Sequence, residues 1–242
     1  MDVNCYPILV LETIPDARAR WVRLLLASGF SPVVVETNEA LVQNVLSGKF
    51  SSVLTRISGQ DAGLLGALKV FRDRLEFRHI QFLLVLDIAE ESLVLALIKS
   101  GFYHLVTRAQ SDEIIIEKLN VIAKTLGVGP DRRQHVRVPI MDYENAKMIL
   151  SLPNSRKLTA MIRNISIGGV QVAFRERIFV RFNQGEVLTD CLLVVKNLDL
   201  ATDVTVVTTL DKGLQLQYYQ LDEGRQNLIA KLVQERIQMT FT

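Results

Sequence analysis

Apolar and polar positions follow two different patterns along the chain. In the first half, short continuous apolar runs alternate with segments whose apolar side chains recur at helical spacing. Continuous apolar runs are typical of strands buried on both faces, and a glycine after an amphipathic segment is typical of a helix end. The predicted strands are residues 7–11, 33–35, 52–57, 82–86 and 104–107, and the predicted helices are residues 16–29, a helix capped by Asn38 and ended by Gly48, and residues 64–71, 93–101 and 112–126.

Five strand–helix units in this order predict a parallel sheet that is covered by helices on both faces. We therefore expect a flavodoxin-like, doubly wound α/β domain. Trp21 lies on the apolar face of the first predicted helix, and we expect it to be part of the core.

Beyond Pro139 the helical spacing gives way to strands alone, separated by turn signals such as Pro153-Asn154-Ser155. Six strands at this spacing predict a small antiparallel β-barrel. Asp222 then begins a helix whose apolar face is expected to pack on the barrel. The predicted strands are residues 146–152, 158–163, 170–174, 187–195, 204–208 and 214–218, and the apolar face of the helix contains Leu228, Ile229, Leu232, Val233 and Ile237.

The chain of 242 residues is long enough for two domains. The Gly-Val-Gly-Pro break at 127–130 separates the two patterns. The predicted organisation is an α/β domain at 1–126, a linker with arginines at 127–140 and a barrel domain at 141–242.

Composition narrows the function classes. A net charge of +2 gives no general electrostatic reason to expect binding to nucleic acid or to an anionic membrane. The start of the chain lacks a secretory pattern, no apolar run is long enough to span a membrane, and Cys5 and Cys191 lack metal-ligand partners. We expect a cytoplasmic protein with reduced thiols, without membrane insertion, metal or cofactor.

Two polar stretches lie close together after the break. Residues 131–139 contain three arginines, whose guanidinium groups suit phosphate because they make paired, charge-assisted hydrogen bonds. About thirty residues later in the sequence, Asn164 and Ser166 supply short donors and acceptors, and Gly168 and Gly169 allow close approach to the backbone. Together these stretches predict a surface for a phosphorylated, planar ligand.

Arg133-x-x-x-Arg137 followed by Asn164-x-Ser166-x-x-Gly169 resembles the signature of the PilZ domain, the bacterial receptor module for cyclic di-GMP. The resemblance covers the chain from Gly129 to its end. The ligand-binding residues that it implies are Arg132, Arg133, Arg137, Asn164, Ser166, Gly168 and Gly169.

The resemblance implies a role for each of these residues. Arg133 and Arg137 would hold the phosphates and guanine edges, with a further contact from Arg132. Asn164 and Ser166 would bond the base or phosphate, and Gly169 would admit the purine. His135, in the same segment, is expected to be an exposed loop residue. One departure is Gln215, which stands where many family members have a glycine in the last strand.

The first domain resembles the receiver domain of two-component signalling, on the stretches 50–57 and 101–108. The place of the receiver's phosphoacceptor aspartate falls on Arg56, and that of its lysine on Arg108. The Ser/Thr switch position falls on Leu86 or Asp87, and the acidic pair is reduced to Glu12 with Asp16 a turn later. One carboxylate supplies too few oxygen ligands for the octahedral coordination that Mg²⁺ prefers. The resemblance therefore implies a pseudo-receiver without phosphorylation.

An α/β domain of another kind, whose acidic residues were never catalytic, is the alternative to a pseudo-receiver. Receivers commonly pair through the face formed by their fourth and fifth helices and last strand, so a homodimer through this domain is an expectation of the resemblance. That face would include Leu95, Ile98, Lys99, Tyr103 and Arg108.

The expected function is that of a bacterial signalling receptor for cyclic di-GMP whose domains reorient on binding, with motility or biofilm control as outputs that the resemblance suggests. No nucleophile elbow, phosphate-cradling glycine loop or metal-ligand cluster is present, so an enzyme is not expected. The alternatives are a scaffold of the same fold that acts only through an unknown protein partner, a phosphorylated response regulator, and a DNA-binding protein. Arg56 disfavours phosphorylation, and the low net charge disfavours DNA.

Overall fold

The computed structural model describes residues 6–58, 62–128, 135–141, 144–152, 156–176, 178–196 and 198–241. The chain divides into two compact units. The first contains the described residues up to Val128 together with those from Ile237, and the second is His135–Arg236. None of the described helices is long and apolar enough to cross a membrane.

The first unit is built on a parallel sheet of five strands in the order β2-β1-β3-β4-β5. This is the order of flavodoxin-like, doubly wound folds, so the predicted α/β architecture is confirmed. Its elements are β1 (Tyr6–Leu11), α1 (Pro15–Ala27), β2 (Phe30–Val35), α2 (Asn38–Leu46), β3 (Ser52–Ile57), α3 (Ala62–Asp73), a single 3₁₀ turn (Leu75–Phe77), β4 (Gln81–Leu86), α4 (Glu91–Lys99), β5 (His104–Thr107) and α5 (Asp112–Thr125).

Burial of both sheet faces explains why the strands of this unit are continuous apolar runs. Leu9 and Val10 are neighbours on β1 and point to opposite faces, yet both are fully buried. Val10 packs in one apolar cluster with Trp21 of α1 and Ile115 of α5. Trp21 is therefore a core residue, as its helical position predicts.

The cap of α2 is Thr37, and the prediction of Asn38 was wrong by one residue. Thr37 has an extended backbone, and its side-chain oxygen accepts a 3.1 Å hydrogen bond from the Ala40 N–H. Asn38 is already the first helical residue. Threonine and asparagine both cap helices well, so adjacent candidates are separated only by the geometry of the chain.

The second unit is a closed antiparallel barrel. Its strands follow the order β6-β8-β7-β10-β11-β12-β9, and an additional pairing of β8 with β9 closes a ring of six strands, β7 to β12. The predicted six-stranded barrel with a terminal helix is confirmed. Its elements are β6 (Val138–Pro139), β7 (Lys147–Ser151), β8 (Lys157–Ser166), β9 (Gly169–Ala173), β10 (Val187–Val195), β11 (Leu198–Leu210), β12 (Gly213–Tyr219) and α6 (Glu223–Phe241).

The short strand β6 lies outside the ring and was not predicted. It pairs antiparallel with β8, with Val138 opposite Ile165 and Pro139 opposite Asn164. Around it, the buried residues Val136, Val138 and Ile140 alternate with partly exposed or exposed ones. The end of the arginine segment is thus held against the barrel as an additional strand.

Two glycines permit the close pairing of β9 with β12. A Cβ atom at Gly169 would lie 2.1 Å from the carbonyl oxygen of Leu216, and one at Gly213 would lie 2.1 Å from that of Val172. The two positions are the first residues of their strands, at opposite ends of the same antiparallel ladder. Neither has room for a side chain, so barrel closure requires glycine at both.

Helix α6 begins where predicted, because the Asp222 carboxylate accepts a 2.8 Å hydrogen bond from the Arg225 N–H. Of its predicted apolar face, Leu228 is 46% exposed, so that assignment was wrong, whereas Ile229, Leu232, Val233 and Ile237 are buried. Cys191 is buried on β10, and Cys5 lies outside the described residues.

A buried ion pair connects α6 to the loop before β7. Arg236 donates two hydrogen bonds to the Glu144 carboxylate, one of them 2.9 Å long, and the Met141 N–H donates a third at 2.9 Å. The two side chains are only 10% and 7% exposed. The hydrogen bonds from Arg236 lower the pKa of Glu144 below its ordinary value.

We expect Gly169→Ala to lower the free energy of unfolding of the second unit by roughly 1–3 kcal/mol or more, as overpacking of a filled interior does. Gly66→Ala is the matched control, because its Cβ atom would meet nothing within 4 Å and alanine favours the helix by about 0.5–1 kcal/mol. Denaturant unfolding followed by circular dichroism measures both, while Trp21 fluorescence follows the first unit. Equal stabilities of the two variants would contradict the close approach.

We expect Glu144→Gln to lower the free energy of unfolding at pH 7 by roughly 1–3 kcal/mol, because Arg236 loses its charged acceptor. The folded pKa of Glu144 is depressed, so its contribution is present above the unfolded pKa and is lost as pH falls through the folded pKa. The difference from the wild type should therefore shrink as the pH falls from 7 through about 4. Urea unfolding over this range tests it, with the exposed Glu176→Gln as control. A difference independent of pH would refute the ion-pair origin.

Candidate functional site

The described residues of the predicted ligand site meet where β6, β8 and β9 are neighbours in the barrel. Arg137 directly precedes β6, Asn164 and Ser166 end β8, and Gly168 and Gly169 form the turn into β9. Arg132 and Arg133 lie outside the described residues.

Arg137 and Asn164 share the outer face of the barrel. Because the residues on either side of Arg137 are buried, alternation along the segment directs its side chain outward. Asn164 is opposite Pro139, the exposed residue of β6, and lies on that same face. A guanidinium group and a carboxamide are thus offered on one surface, held by neighbouring strands.

Ser166 closes the turn between β8 and β9. Its hydroxyl donates to the Gly169 carbonyl oxygen at 3.1 Å and accepts from the Gly169 N–H at 3.2 Å. The residue is only 5% exposed. The hydroxyl therefore orders the turn by hydrogen bonding to the strand that follows.

Protein atoms fill the space beside both glycines. A Cβ atom at Gly168 would lie 2.1 Å from the Cδ2 atom of His135, and one at Gly169 would meet the β12 backbone. The histidine ring packs on Gly168 and is partly buried, so the expectation of an exposed loop histidine was wrong. Packing alone therefore requires glycine at both motif positions. The contact of His135 with Gly168 was not predicted from the sequence.

A row of polar side chains extends outward from Asn164 across the barrel. By strand register, Asn164 is opposite Gln171, Gln171 is opposite Gln215, and Gln215 is opposite Thr208. The Asn164 Nδ2 donates a 2.7 Å hydrogen bond to Gln171 Oε1. The sequence signal for this row is one glutamine between the buried valines of β9 and two glutamines at alternate positions of β12, and it can be interpreted only once the strands are paired.

In the first unit, Arg56 fills the place at the carboxyl ends of the strands where the receiver resemblance puts a nucleophile. Its Nε and Nη2 donate to both carboxylate oxygens of Asp87, at 2.6 and 2.7 Å, and its Nη1 lies 3.6 Å from Glu12 Oε1. The hydrogen bonds to Asp87 raise the pKa of Arg56, so its charge is permanent. The cation that balances these carboxylates is part of the chain.

This arrangement agrees with the expectation that the first unit has lost phosphoryl chemistry. Arginine cannot attack phosphorus, and both carboxylates already face a fixed positive charge. Among the described residues, no group of three or more His, Cys, Asp or Glu side chains is arranged to hold a metal ion.

Comparison with protein families decides the identity of the barrel. Residues 131–235 match the model of the PilZ domain. This part of the chain is a PilZ domain. Its match includes the barrel, the arginine segment and nearly all of the described part of α6 that belongs to the second unit, as the paired motifs predicted. Among curated proteins, none matches the chain significantly.

Solved structures with a similar fold fall into two groups. MrkH of K. pneumonia in complex with c-di-GMP is 17% identical, and the match covers 46% of this chain and 53% of MrkH, with a TM-score of 0.41. The PilZ domain of YcgR from Escherichia coli with c-di-GMP is 10% identical over 46% of this chain and 95% of that one, with a TM-score of 0.40. A response regulator protein from Burkholderia multivorans is 15% identical over 49% and 95%, with a TM-score of 0.43.

These likenesses add nothing to the fold that the strand orders already define, because the identities and TM-scores are low. The matched part is about half of the MrkH chain.

We expect Arg56→Met to lower the free energy of unfolding of the first unit by about 3 kcal/mol or more, because it removes the cation that pairs with Asp87 and with the buried carboxylate of Glu12. Arg20→Met is the matched control. Arg20 also donates two hydrogen bonds to one aspartate, Asp112, but it is 56% exposed whereas Arg56 is 18% exposed.

The control should cost less than about 1 kcal/mol, as exposed pairs do. Urea unfolding followed by Trp21 fluorescence measures both variants. Similar decreases in the free energy of unfolding of the two variants would show that the buried ion pair stabilises the protein no more than the exposed one.

Proposed function

We propose that this protein is a cyclic di-GMP receptor that acts as a signalling adaptor in the bacterial cytoplasm. Cyclic di-GMP binds the outer face of the barrel, and binding changes the arrangement of the two domains and the protein contacts that they make. The observation that carries the proposal is the PilZ domain at 131–235, whose motif residues Arg137 and Asn164 lie on one outer face.

The chemistry of the proposed site matches the ligand. Cyclic di-GMP has two phosphates and two guanines, and an arginine can bond a phosphate in paired fashion or stack on a purine. Arg137 is the described arginine of the motif, and Arg132 and Arg133 are close to it in sequence. Ser166 and the two glycines then act by holding the turn that supports Asn164, through the contacts described above.

The proposed role of the first domain is contact with a protein. On the face where the receiver resemblance places dimerisation, Leu95, Ile98 and Tyr103 are 48%, 42% and 69% exposed. Apolar side chains of this size at neighbouring positions suit a second copy of the domain or a partner protein. Because Arg56 stands at the phosphoacceptor position and is held in ion pairs, the proposal includes no phosphorylation of this domain.

Calorimetric titration of cyclic di-GMP into the full-length protein tests the receptor function. Saturable binding is expected, and Arg137→Ala should weaken it roughly ten- to a hundredfold, because one charge-assisted contact is lost. Arg156→Ala is the matched control: it removes the same charge next to the other end of β8, where we expect no effect on affinity.

The absence of both heat and thermal stabilisation by the ligand would overturn the receptor function and favour the scaffold that acts only through partners. Equal losses in the two arginine variants would show that the effect is one of net charge and not of a site. Incubation with a small phosphodonor, followed by intact mass, tests the phosphorylated alternative, and no adduct is expected.

A further inference from the structure

We propose that Gln171 is a positioning residue that fixes the Asn164 carboxamide in one orientation and thereby makes the barrel face selective for guanine. The inference rests on the proposed function, since it concerns the same ligand surface. Gln171 is not part of the arginine or Asn-x-Ser motif, and its position becomes significant only through the pairing of β8 with β9.

An asparagine side chain does not by itself define which group it presents. Its carbonyl oxygen accepts hydrogen bonds and its amide NH2 group donates them, and a half-turn of the terminal torsion exchanges the positions of the oxygen and the nitrogen. On a surface that reads a base edge, such an exchange reverses the hydrogen-bonding polarity. A recognition asparagine therefore needs a partner that holds its amide plane.

Gln171 supplies that partner from the neighbouring strand. The two residues are opposite each other on β8 and β9, both are partly buried on the outer face, and the Asn164 Nδ2 donates to Gln171 Oε1 at 2.7 Å. With the amine directed toward β9, the carbonyl oxygen of Asn164 points away from it.

On the other side of Asn164 lies Pro139, its register partner on β6. Proline has no N–H to donate, so the β6 backbone at this position cannot use the Asn164 Oδ1 as an acceptor. Among the described residues, Asn164 makes no other side-chain hydrogen bond. The barrel thus offers a fixed acceptor beside the outward-directed Arg137.

A fixed acceptor discriminates among purines by their donors. Guanine presents an N–H and an exocyclic amine side by side, whereas adenine has an acceptor at the ring position where guanine has its N–H. Hypoxanthine keeps the O6 and N7 acceptors that arginine recognises and lacks only the exocyclic amine of guanine. A site with a fixed acceptor near that amine should reject the analogue that lacks it, because the acceptor is then left unpaired.

The test compares the binding of cyclic di-GMP, cyclic di-IMP and cyclic di-AMP by calorimetry, using the full-length protein. For the wild type we expect cyclic di-GMP to bind about tenfold more tightly than cyclic di-IMP, and cyclic di-AMP to bind least. In Gln171→Leu, which keeps the size of the side chain and removes its amide, the ratio of the first two affinities should fall toward one.

Two further variants separate positioning from other effects. An ionised glutamate can only accept from Asn164, whereas the amide of Gln171 can also donate, so Gln171→Glu keeps the observed arrangement. Its added charge should weaken all three ligands while the selectivity ratio is retained. Gln217→Leu changes an exposed glutamine of β12 that is opposite Gly169 and not Asn164, and it should leave the ratio unchanged. A purely structural role of Gln171 would alter stability or all affinities together, but not the ratio.

A wild-type protein that binds cyclic di-GMP and cyclic di-IMP equally, or a Gln171→Leu variant that keeps the wild-type ratio, would overturn the inference and leave the receptor function standing. Failure of the wild type to bind any of the three ligands would overturn the receptor function, and with it the inference.

Discussion

The close approach of β9 to β12 at Gly169 is the constraint on which the barrel depends. A carbonyl oxygen of β12 occupies the space that any side chain would need there, and the reciprocal contact at Gly213 repeats the constraint at the other end of the pair. β9 pairs with β8 on its other side, and this pairing closes the ring. The geometry of the turn from Ser166 to Gly169 therefore decides both whether the barrel closes and where Asn164 lies.

In the proposed site, folding and ligand binding depend on the same short motif. The Ser166 hydroxyl and Gly169 bond each other, Gly168 supports the His135 ring, and the segment that contains Arg137 continues from that histidine into β6. Ser166, Gly168 and Gly169, which the family resemblance assigns to the ligand, make their described contacts with other residues of the protein. We infer that their contribution to ligand binding is largely to set the positions of Arg137 and Asn164, since a rigid strand places a side chain more accurately than a loop.

Arg56 and Arg137 differ in burial and in their hydrogen-bond partners, and these differences determine whether each serves as an internal counter-ion or faces solvent. Arg56 is enclosed between Asp87 and Glu12 and serves as an internal counter-ion. Arg137 is partly exposed and directly precedes the short strand β6. The receiver resemblance implied the loss of phosphoryl chemistry from Arg56 and from the other positions where the receiver's residues are missing. The two-bond pairing of Arg56 with Asp87, by contrast, depends on β3 and β4 lying side by side, which only the fold provides.

The strands of the first unit were predictable to within about three residues, because helices on both sides leave a continuous apolar run to read. β11 was harder: it runs from Leu198 to Leu210, but its outward polar positions left only residues 204–208 recognisable. Strand β6, two residues long, leaves no periodicity to detect. Gln171 was missed for a further reason: its importance depends on the residue across the ladder, and register is a property of the folded sheet.

Hydrogen-bond partners within the protein distinguish the residues that support the proposed site from the residue proposed to read the base. A polar group that already has its hydrogen-bond partners within the protein contributes little free energy to ligand binding. A group that is held in place and has one donor or acceptor unpaired contributes the whole free energy of its new hydrogen bond to the ligand. Ser166 uses both its donor and its acceptor on Gly169. Asn164 donates from its side-chain NH2 group to Gln171 and is opposite a proline on β6, so its carbonyl oxygen has no hydrogen-bond partner among the described residues. Recognition at the proposed site would therefore depend less on which residues the motif contains than on which of their polar atoms have no partner among the described residues.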